Sequence, residues 1–189
     1  MAGVTRIIAG AAGGRRLEVP KGDRTRPTSD RVREAVFSGL DARGVLQGAR
    51  VLDLFAGSGA LGLEAASRGA AEVVLVDSSR AATDVARRNV GALGMRATVV
   101  LSSAQKFLTG RSPVPQDVVL VDPPYAVGED VLTEVLAALV AGWLVPGGLV
   151  VLERSSRSLE PRWPAGLVRE GVRRYGETAI WTAAYRREG

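Results

Sequence analysis

Arg50-Val51-Leu52-Asp53-Leu54-Phe55-Ala56-Gly57-Ser58-Gly59-Ala60-Leu61-Gly62 decides the fold. Val51–Phe55 is a short apolar run interrupted by one acid, the pattern of a strand buried on both faces. Small residues follow, and then Ala60–Ser67 reads as a helix. A strand that turns through glycines straight into a helix opens a parallel βαβ unit. Downstream the alternation continues. Strands are predicted at Glu72–Val76, Thr98–Leu101, Val118–Val121 and Leu149–Leu152, and helices at Arg80–Leu93, Ala104–Leu108 and Glu129–Trp143. Right-handed crossovers wind such a chain into a parallel sheet with helices on both faces. Leu144-Val145-Pro146-Gly147-Gly148 reads as the turn before the fifth of these strands.

The ends differ from the middle. Val4–Ile8 and Arg15–Val19 form a predicted hairpin around the small residues Ala9–Gly14. Lys21–Asp30 has no apolar residue except Pro27 and reads as an exposed loop. Ser29-Asp30 then starts a helix with Val32, Val36 and Leu40 on one face. At the other end, Leu167–Tyr175, a turn at Gly176-Glu177 and Thr178–Tyr185 predict an antiparallel hairpin on the sheet edge.

Composition removes whole classes of chemistry. The 189 residues contain no cysteine and no histidine. Disulfides, Cys/His zinc sites, thiol nucleophiles and imidazole bases are excluded, and no metal site is expected. Residues 1–33 hold eight Lys/Arg against three Asp/Glu, residues 34–153 nine against thirteen, and residues 154–189 eight against four. Basic ends around an acidic middle suit a polyanionic partner. All but Lys21 and Lys106 of the basic residues are arginine, whose planar fork fits phosphate. Met1–Gly14 lacks the charged start and long apolar stretch of a signal peptide, so no targeting segment is expected. Val135–Leu152 runs 18 residues without a charge, but Pro146-Gly147-Gly148 breaks it, so no membrane span and a cytoplasmic location are expected.

Gly57-Ser58-Gly59-Ala60-Leu61-Gly62 matches the dinucleotide pattern literally, with Asp77 at the end of the next strand. Asp53 argues against a dinucleotide, because a carboxylate beside a pyrophosphate is repelled. An acid there suits an ammonium group, met directly or through water. S-adenosylmethionine has an amino-acid end for Asp53 and a ribose end for Asp77, while Gly57 and Gly59 allow close approach of the backbone.

Val118–Val121 runs into Asp122-Pro123-Pro124-Tyr125, at the end of the sheet where open α/β folds bind ligands. An exocyclic nucleobase amine is a poor nucleophile because its lone pair is delocalised. The Asp122 carboxylate and the Pro123 carbonyl together offer two acceptors for its two N–H bonds. They favour the pyramidal amine and aim its lone pair at a methyl group. Tyr125 offers a face for stacking. The proton can leave to water or to Asp122.

These motifs resemble class I S-adenosylmethionine-dependent methyltransferases, with Asp53–Gly59 as the cofactor loop and Asp122–Tyr125 as the motif of amine methylation. Arg6-Ile7-Ile8-Ala9-Gly10, Gly14-Arg15-Arg16-Leu17 and Arg26-Pro27-Thr28-Ser29-Asp30-Arg31-Val32-Arg33-Glu34 are similar to the start of the RsmD family of bacterial 16S ribosomal RNA guanine-N2 methyltransferases. Arg174-Tyr175-Gly176-Glu177-Thr178 and Tyr185-Arg186-Arg187 resemble its ending. The resemblance implies a Rossmann-like α/β fold, a seven-stranded, mostly parallel sheet with an inverted C-terminal hairpin, and a small N-terminal hairpin extension. It divides the chain into a basic, RNA-contacting hairpin and loop at residues 1–28 and a methyltransferase domain at 29–189. It implies S-adenosylmethionine as methyl donor, held by Asp53, Phe55, Gly57, Ser58, Gly59, Asp77, Ser78, Ser103 and Ala104. Asp122, Pro123 and Tyr125 carry the catalysis. It implies as substrate a guanine in 16S rRNA of the small ribosomal subunit or an assembly intermediate; nothing in the sequence demands more than a monomer.

Arg15, Arg16, Arg26, Arg31 and Arg33, with Arg24 beside them, are the arginines expected to neutralise RNA phosphates, Arg26 and Arg33 foremost. Thr28 has two readings, a cofactor contact and a helix cap. An adenine-N6 or cytosine-N4 DNA methyltransferase shares the Asp122–Tyr125 motif, but 189 residues leave no room for a separate target-recognition domain. The literal glycine pattern alone fits an NAD-dependent oxidoreductase, and the arginine-rich ends alone fit a non-enzymatic RNA-binding module. Neither accounts for Asp53, Asp77 and Asp122 together.

Overall fold

A computed structural model describes residues 5–20 and 29–187. Two strands open the chain, β1 (Thr5–Arg6) and β2 (Arg16–Leu17), followed by helix α1 (Asp30–Ala42). The alternating region holds β3 (Arg50–Leu54), α2 (Ala60–Ser67), β4 (Glu72–Asp77), α3 (Arg80–Leu93), β5 (Ala97–Leu101), α4 (Ala104–Thr109), β6 (Gln116–Val121) and α5 (Glu129–Val140). Three long strands finish it: β7 (Leu144–Ser155), β8 (Leu167–Tyr175) and β9 (Thr178–Tyr185).

The seven larger strands form one sheet in the order β5-β4-β3-β6-β7-β9-β8. The first five are parallel, and β9 joins β7 and β8 antiparallel. The order reverses between β3 and β6, so the crevice for a ligand lies at their carboxyl ends. One apolar layer gathers Val32 and Phe37 of α1, Leu63 of α2 and Ala86 of α3 over Val51, Leu75, Leu120 and Ile180. The other packs Phe107 of α4 and Leu132 and Leu136 of α5 against Leu52, Val119, Leu152 and Trp181. Alternate residues of each strand thus feed opposite cores, which is why these strands read as continuous apolar runs. Among the described residues no helix is long and apolar enough to cross a membrane.

The hairpin strands are shorter than expected, Thr5–Arg6 and Arg16–Leu17, and two elements depart from the sequence expectation by more than two residues. The last strand of the parallel set begins at Leu144, not Leu149. Gln116 pairs with Leu144 and Val118 with Leu149, so Val145–Gly148 form a bulge inside β7. Long-range pairing overrides the local Pro-Gly-Gly turn signal. Helix α5 correspondingly stops at Val140. Trp143 beyond it is held by its own contacts: its indole N–H donates to the Leu108 carbonyl at 3.0 Å, and its carbonyl accepts from Gln116 N–H at 2.9 Å.

The N-terminal hairpin is built into the molecule. Ile7, Ala12 and Leu17 belong to the same buried layer as Val51 and Leu75. The fully buried Glu64 carboxylate accepts the Ile8 and Ala9 N–H groups at 2.7 and 3.1 Å. Ser67 Oγ donates to the Ala9 carbonyl and accepts from Ala12 N–H. Gly10, at φ +82°, lies so close to α2 that a Cβ there would sit 1.9 Å from the Ser67 carbonyl oxygen. At Gly10 the absence of a side chain is therefore a packing requirement. Arg68 completes the joint with bonds to Glu64, Asp41 and Glu34 at 2.7, 2.7 and 2.9 Å.

Candidate active site

Register brings the sequence-predicted residues to one edge. Leu54 pairs with Val76 on one side and Val121 on the other, so the chain leaves β3, β4 and β6 at the same level. Ala56 N–H still reaches the Val76 carbonyl at 2.9 Å, and Asp122 N–H the Leu54 carbonyl at 3.4 Å. The residues after β3 and β6 thus flank the reversal point of the sheet.

The glycine loop is held by carboxylates. Asp77 Oδ2 accepts Gly57 N–H and its Oδ1 accepts Ser79 N–H, both at 2.8 Å. Phe55 is left-handed, φ +64°, alone among the described non-glycine residues. That conformation costs about 1–2 kcal/mol, and such strain concentrates at ligand-holding turns. Gly57 takes φ +56° with nothing within 4 Å of where a Cβ would stand, so its open side faces free space. Ser78 is exposed beside Asp77, while Ser79 caps α3 by accepting Ala82 N–H.

Asp53 is not where a directly contacting residue would be. It is 0% exposed, and its Oδ2 accepts Gly62 N–H at 2.8 Å. Its Oδ1 is buried with no hydrogen-bond partner. Burial pushes its carboxyl up to about 7; the Gly62 N–H opposes this and the neighbouring Asp77 charge adds to it. A buried acceptor left unmet is costly, and an ammonium group acting through a bridging water satisfies it. The residues therefore fit a donor with an amino-acid end, by the indirect route of the two considered above.

On the far side, Ser103 caps α4 by accepting Lys106 N–H at 3.2 Å. Ala104 is turned into the core beside Phe107, so its side chain takes no part in a site. Across the crevice Asp122 is half-buried and Pro123 buried, and Val127 N–H closes the turn on the Pro124 carbonyl at 2.9 Å. Tyr125 is 75% exposed. Its ring stands open to solvent beside the Pro123-Pro124 corner.

The arginines separate into two groups. Arg33, expected on RNA, is only 1% exposed, with its Nη2 bound at 2.7 Å to both the Arg6 carbonyl and Asp30. Arg15 is spent on the end of α3, donating to the Leu93 and Ala92 carbonyls. Burial leaves Arg33 with internal acceptors on the hairpin and on α1, whereas Arg15 stays exposed while it ties the hairpin to α3. Arg16 and Arg31 are exposed, and among the described residues neither has an ion-pair partner. Arg24, Arg26 and Thr28 lie outside the described residues. Sequence reasoning passed over Arg173 and Arg174, which are exposed and likewise unpaired near the tip of the β8–β9 hairpin. Arg174 is in register with Ala179 and, beyond it, Arg154, one step past the level of Asp122. It also passed over Asn89, a polar residue on the buried stripe of α3 that includes Ala82, Val85, Ala86 and Leu93.

The family described as Conserved hypothetical protein 95 matches residues 5–184. Ribosomal RNA small subunit methyltransferase D of Escherichia coli K12 is 42% identical over 165 residues, covering 86% of this chain and 81% of that one. The chain belongs to the methyltransferase D family. The methyltransferase yhhF of Escherichia coli superposes with a TM-score of 0.87 at 36% identity, covering 98% of this chain and all of that one. The Thermus thermophilus 16S rRNA N2 G1207 methyltransferase, solved with AdoMet and guanosine, gives 0.66 at 27% identity over 88% of this chain and 45% of its own. The fold is that of class I methyltransferases, and the enzyme uses S-adenosylmethionine as its methyl donor. Within this member of the family, the strained Phe55 loop, Asp77 and the orphaned Asp53 oxygen lie on one side of the reversal point of the sheet, and Asp122–Tyr125 on the other.

Proposed function

We propose that the protein methylates the exocyclic N2 of a guanine in 16S rRNA, acting as a monomer on the small ribosomal subunit or an assembly intermediate. The observation that carries this reading is the corner Asp122-Pro123-Pro124-Tyr125, set one strand away from the donor loop with its aromatic ring bare. S-adenosylmethionine supplies, when bound, an electrophilic methyl group on a sulfonium. The Asp122 carboxylate and the Pro123 carbonyl accept the two amine N–H bonds. Among the described residues no donor reaches the Pro123 carbonyl, so it is available to a substrate. Tyr125 stacks the splayed-out base. So held, the amine lone pair would face the methyl group of the donor, and the amine proton would leave to water or to Asp122. Holding both reactants in line supplies much of the acceleration.

Residues 1–28 form the RNA-contacting arm on the transferase of residues 29–189. Arg16 and Arg31 on that side, and Arg173 and Arg174 on the C-terminal hairpin, meet backbone phosphates around the target. Three strand spacings, about 14 Å, separate β8 from β6, within the reach of a folded RNA loop.

The test is incubation of unmodified small subunits with labelled S-adenosylmethionine, followed by nucleoside analysis. N2-methylguanosine at one position is expected, and Asp122→Ala abolishes it while donor binding persists. Label in duplex DNA but not in subunits, or an active Asp122→Ala, overturns the reading.

A further inference from the structure

Asn89 is 2% exposed, and every polar group of its carboxamide is used. Oδ1 accepts the Glu18 N–H at 2.9 Å. Nδ2 donates to the Glu18 carbonyl and to the Ser58 carbonyl, each at 3.0 Å. Toward Glu18 the side chain behaves like a neighbouring strand, answering both backbone groups at once. With its other N–H it holds the middle of the donor loop, between Gly57, fixed by Asp77, and Gly59. Arg88, one residue earlier on the same helix, adds an ion pair to the Glu18 carboxylate at 2.8 Å. Glu18 itself follows β2 and leads through Val19-Pro20 toward the arginine-rich segment. The donor loop and the root of the arm thus converge on one buried carboxamide.

We infer that Asn89 is a positioning residue that couples the two, so that the methyl donor and the rRNA substrate bind cooperatively; this rests on the function proposed above. A donor that fixes Ser58 fixes the Asn89 N–H, and through the same side chain the backbone of Glu18. An arm held by RNA returns the effect, since coupling between two binding equilibria is reciprocal. Buried as it is, Asn89 acts only through the backbone of Ser58 and Glu18.

The experiment uses the full chain and labelled S-adenosylhomocysteine, which cannot transfer a methyl group. Its affinity is measured by equilibrium dialysis with and without saturating unmodified small subunits. Wild-type protein binds it at least about fivefold more tightly with subunits present, the lower end of ordinary coupling. Asn89→Asp keeps the shape and the acceptor for Glu18 N–H but turns a carboxylate oxygen toward two carbonyls. Its coupling falls below twofold and its KM for subunits rises. A merely structural contact lowers the melting temperature and leaves the coupling untouched, and that outcome overturns the inference, as does a wild-type coupling of one. Should the variant fail to fold, hydrogen exchange on wild-type protein decides. S-adenosylhomocysteine alone slows exchange of the Glu18 amide several-fold, and an unchanged rate refutes the link. Wild-type protein that transfers no methyl to subunits removes the functional reading and this inference with it, whereas intact transfer without coupling removes only the inference.

Discussion

Asp53→Asn probes the donor side without changing its shape. In the folded protein the Asp53 carboxyl is pushed from 3.8 up to about 7, chiefly by burial. Between these values the unfolded chain has already lost the proton and the folded one keeps it, so stability falls as pH rises from about 4 to about 7. At about 1.36 kcal/mol per tenfold change in protonation, the whole shift is worth about 4 kcal/mol, and the part traversed between pH 5 and pH 8 about 2–3 kcal/mol. An asparagine at this position accepts the Gly62 N–H equally well and does not titrate. Its buried NH2 group carries a cost that is the same at every pH and cancels in the comparison. Denaturant titrations of both proteins at pH 5, 6.5 and 8 therefore show wild type losing about 2–3 kcal/mol relative to the variant across that interval. In a chain of this length the relative shift in melting temperature is about 5–10 °C. A difference between the two proteins that stays flat over the interval refutes the buried, proton-holding Asp53. The same titration bears on function, because an ammonium group nearby favours the carboxylate. Donor affinity of wild type then rises from pH 5 to pH 8, and that of Asp53→Asn is lower and level.

Other perturbations separate packing from chemistry. Tyr125→Ala leaves stability within about 0.5 kcal/mol because the ring is exposed, but loses about 1–3 kcal/mol of base stacking, seen as a lower kcat/KM for subunits that Tyr125→Phe restores. Gly10→Ala drives a Cβ into the Ser67 carbonyl and costs about 2–3 kcal/mol, measured as a fall in melting temperature with the methyl-donor affinity preserved. Glu64→Gln leaves Arg68 without its buried carboxylate and a backbone N–H facing an N–H; the loss is about 3–5 kcal/mol in denaturant titration.

Where local pattern and tertiary requirement agree, the sequence is readable to the residue. Ala60–Ser67 and Arg80–Leu93 are helices with the predicted bounds, the second because Ser79 caps its start and Gly94 turns left-handed at its end. The terminal hairpin strands at Leu167–Tyr175 and Thr178–Tyr185 agree for the same reason. The readings diverge where a distant partner decides. Leu144–Gly148 carries every mark of a turn, yet Leu144 pairs with Gln116 of β6 and Val145–Gly148 are taken up as a bulge inside β7. Asp53 stands at the predicted strand end, but whether its carboxylate enters the crevice or lies under α2 depends on the space that Gly62 leaves by having no side chain. The arginines show the limit most clearly. A guanidinium presents five donors that suit a phosphate and a backbone carbonyl equally well. The sequence names the donor, never the acceptor. Arg15 finds its acceptors at the end of α3, far along the chain, and Arg33 finds one at Arg6. Arg16, Arg31, Arg173 and Arg174 find none within the described protein, a difference invisible in composition, and it is on that ground that they are proposed to meet an outside polyanion.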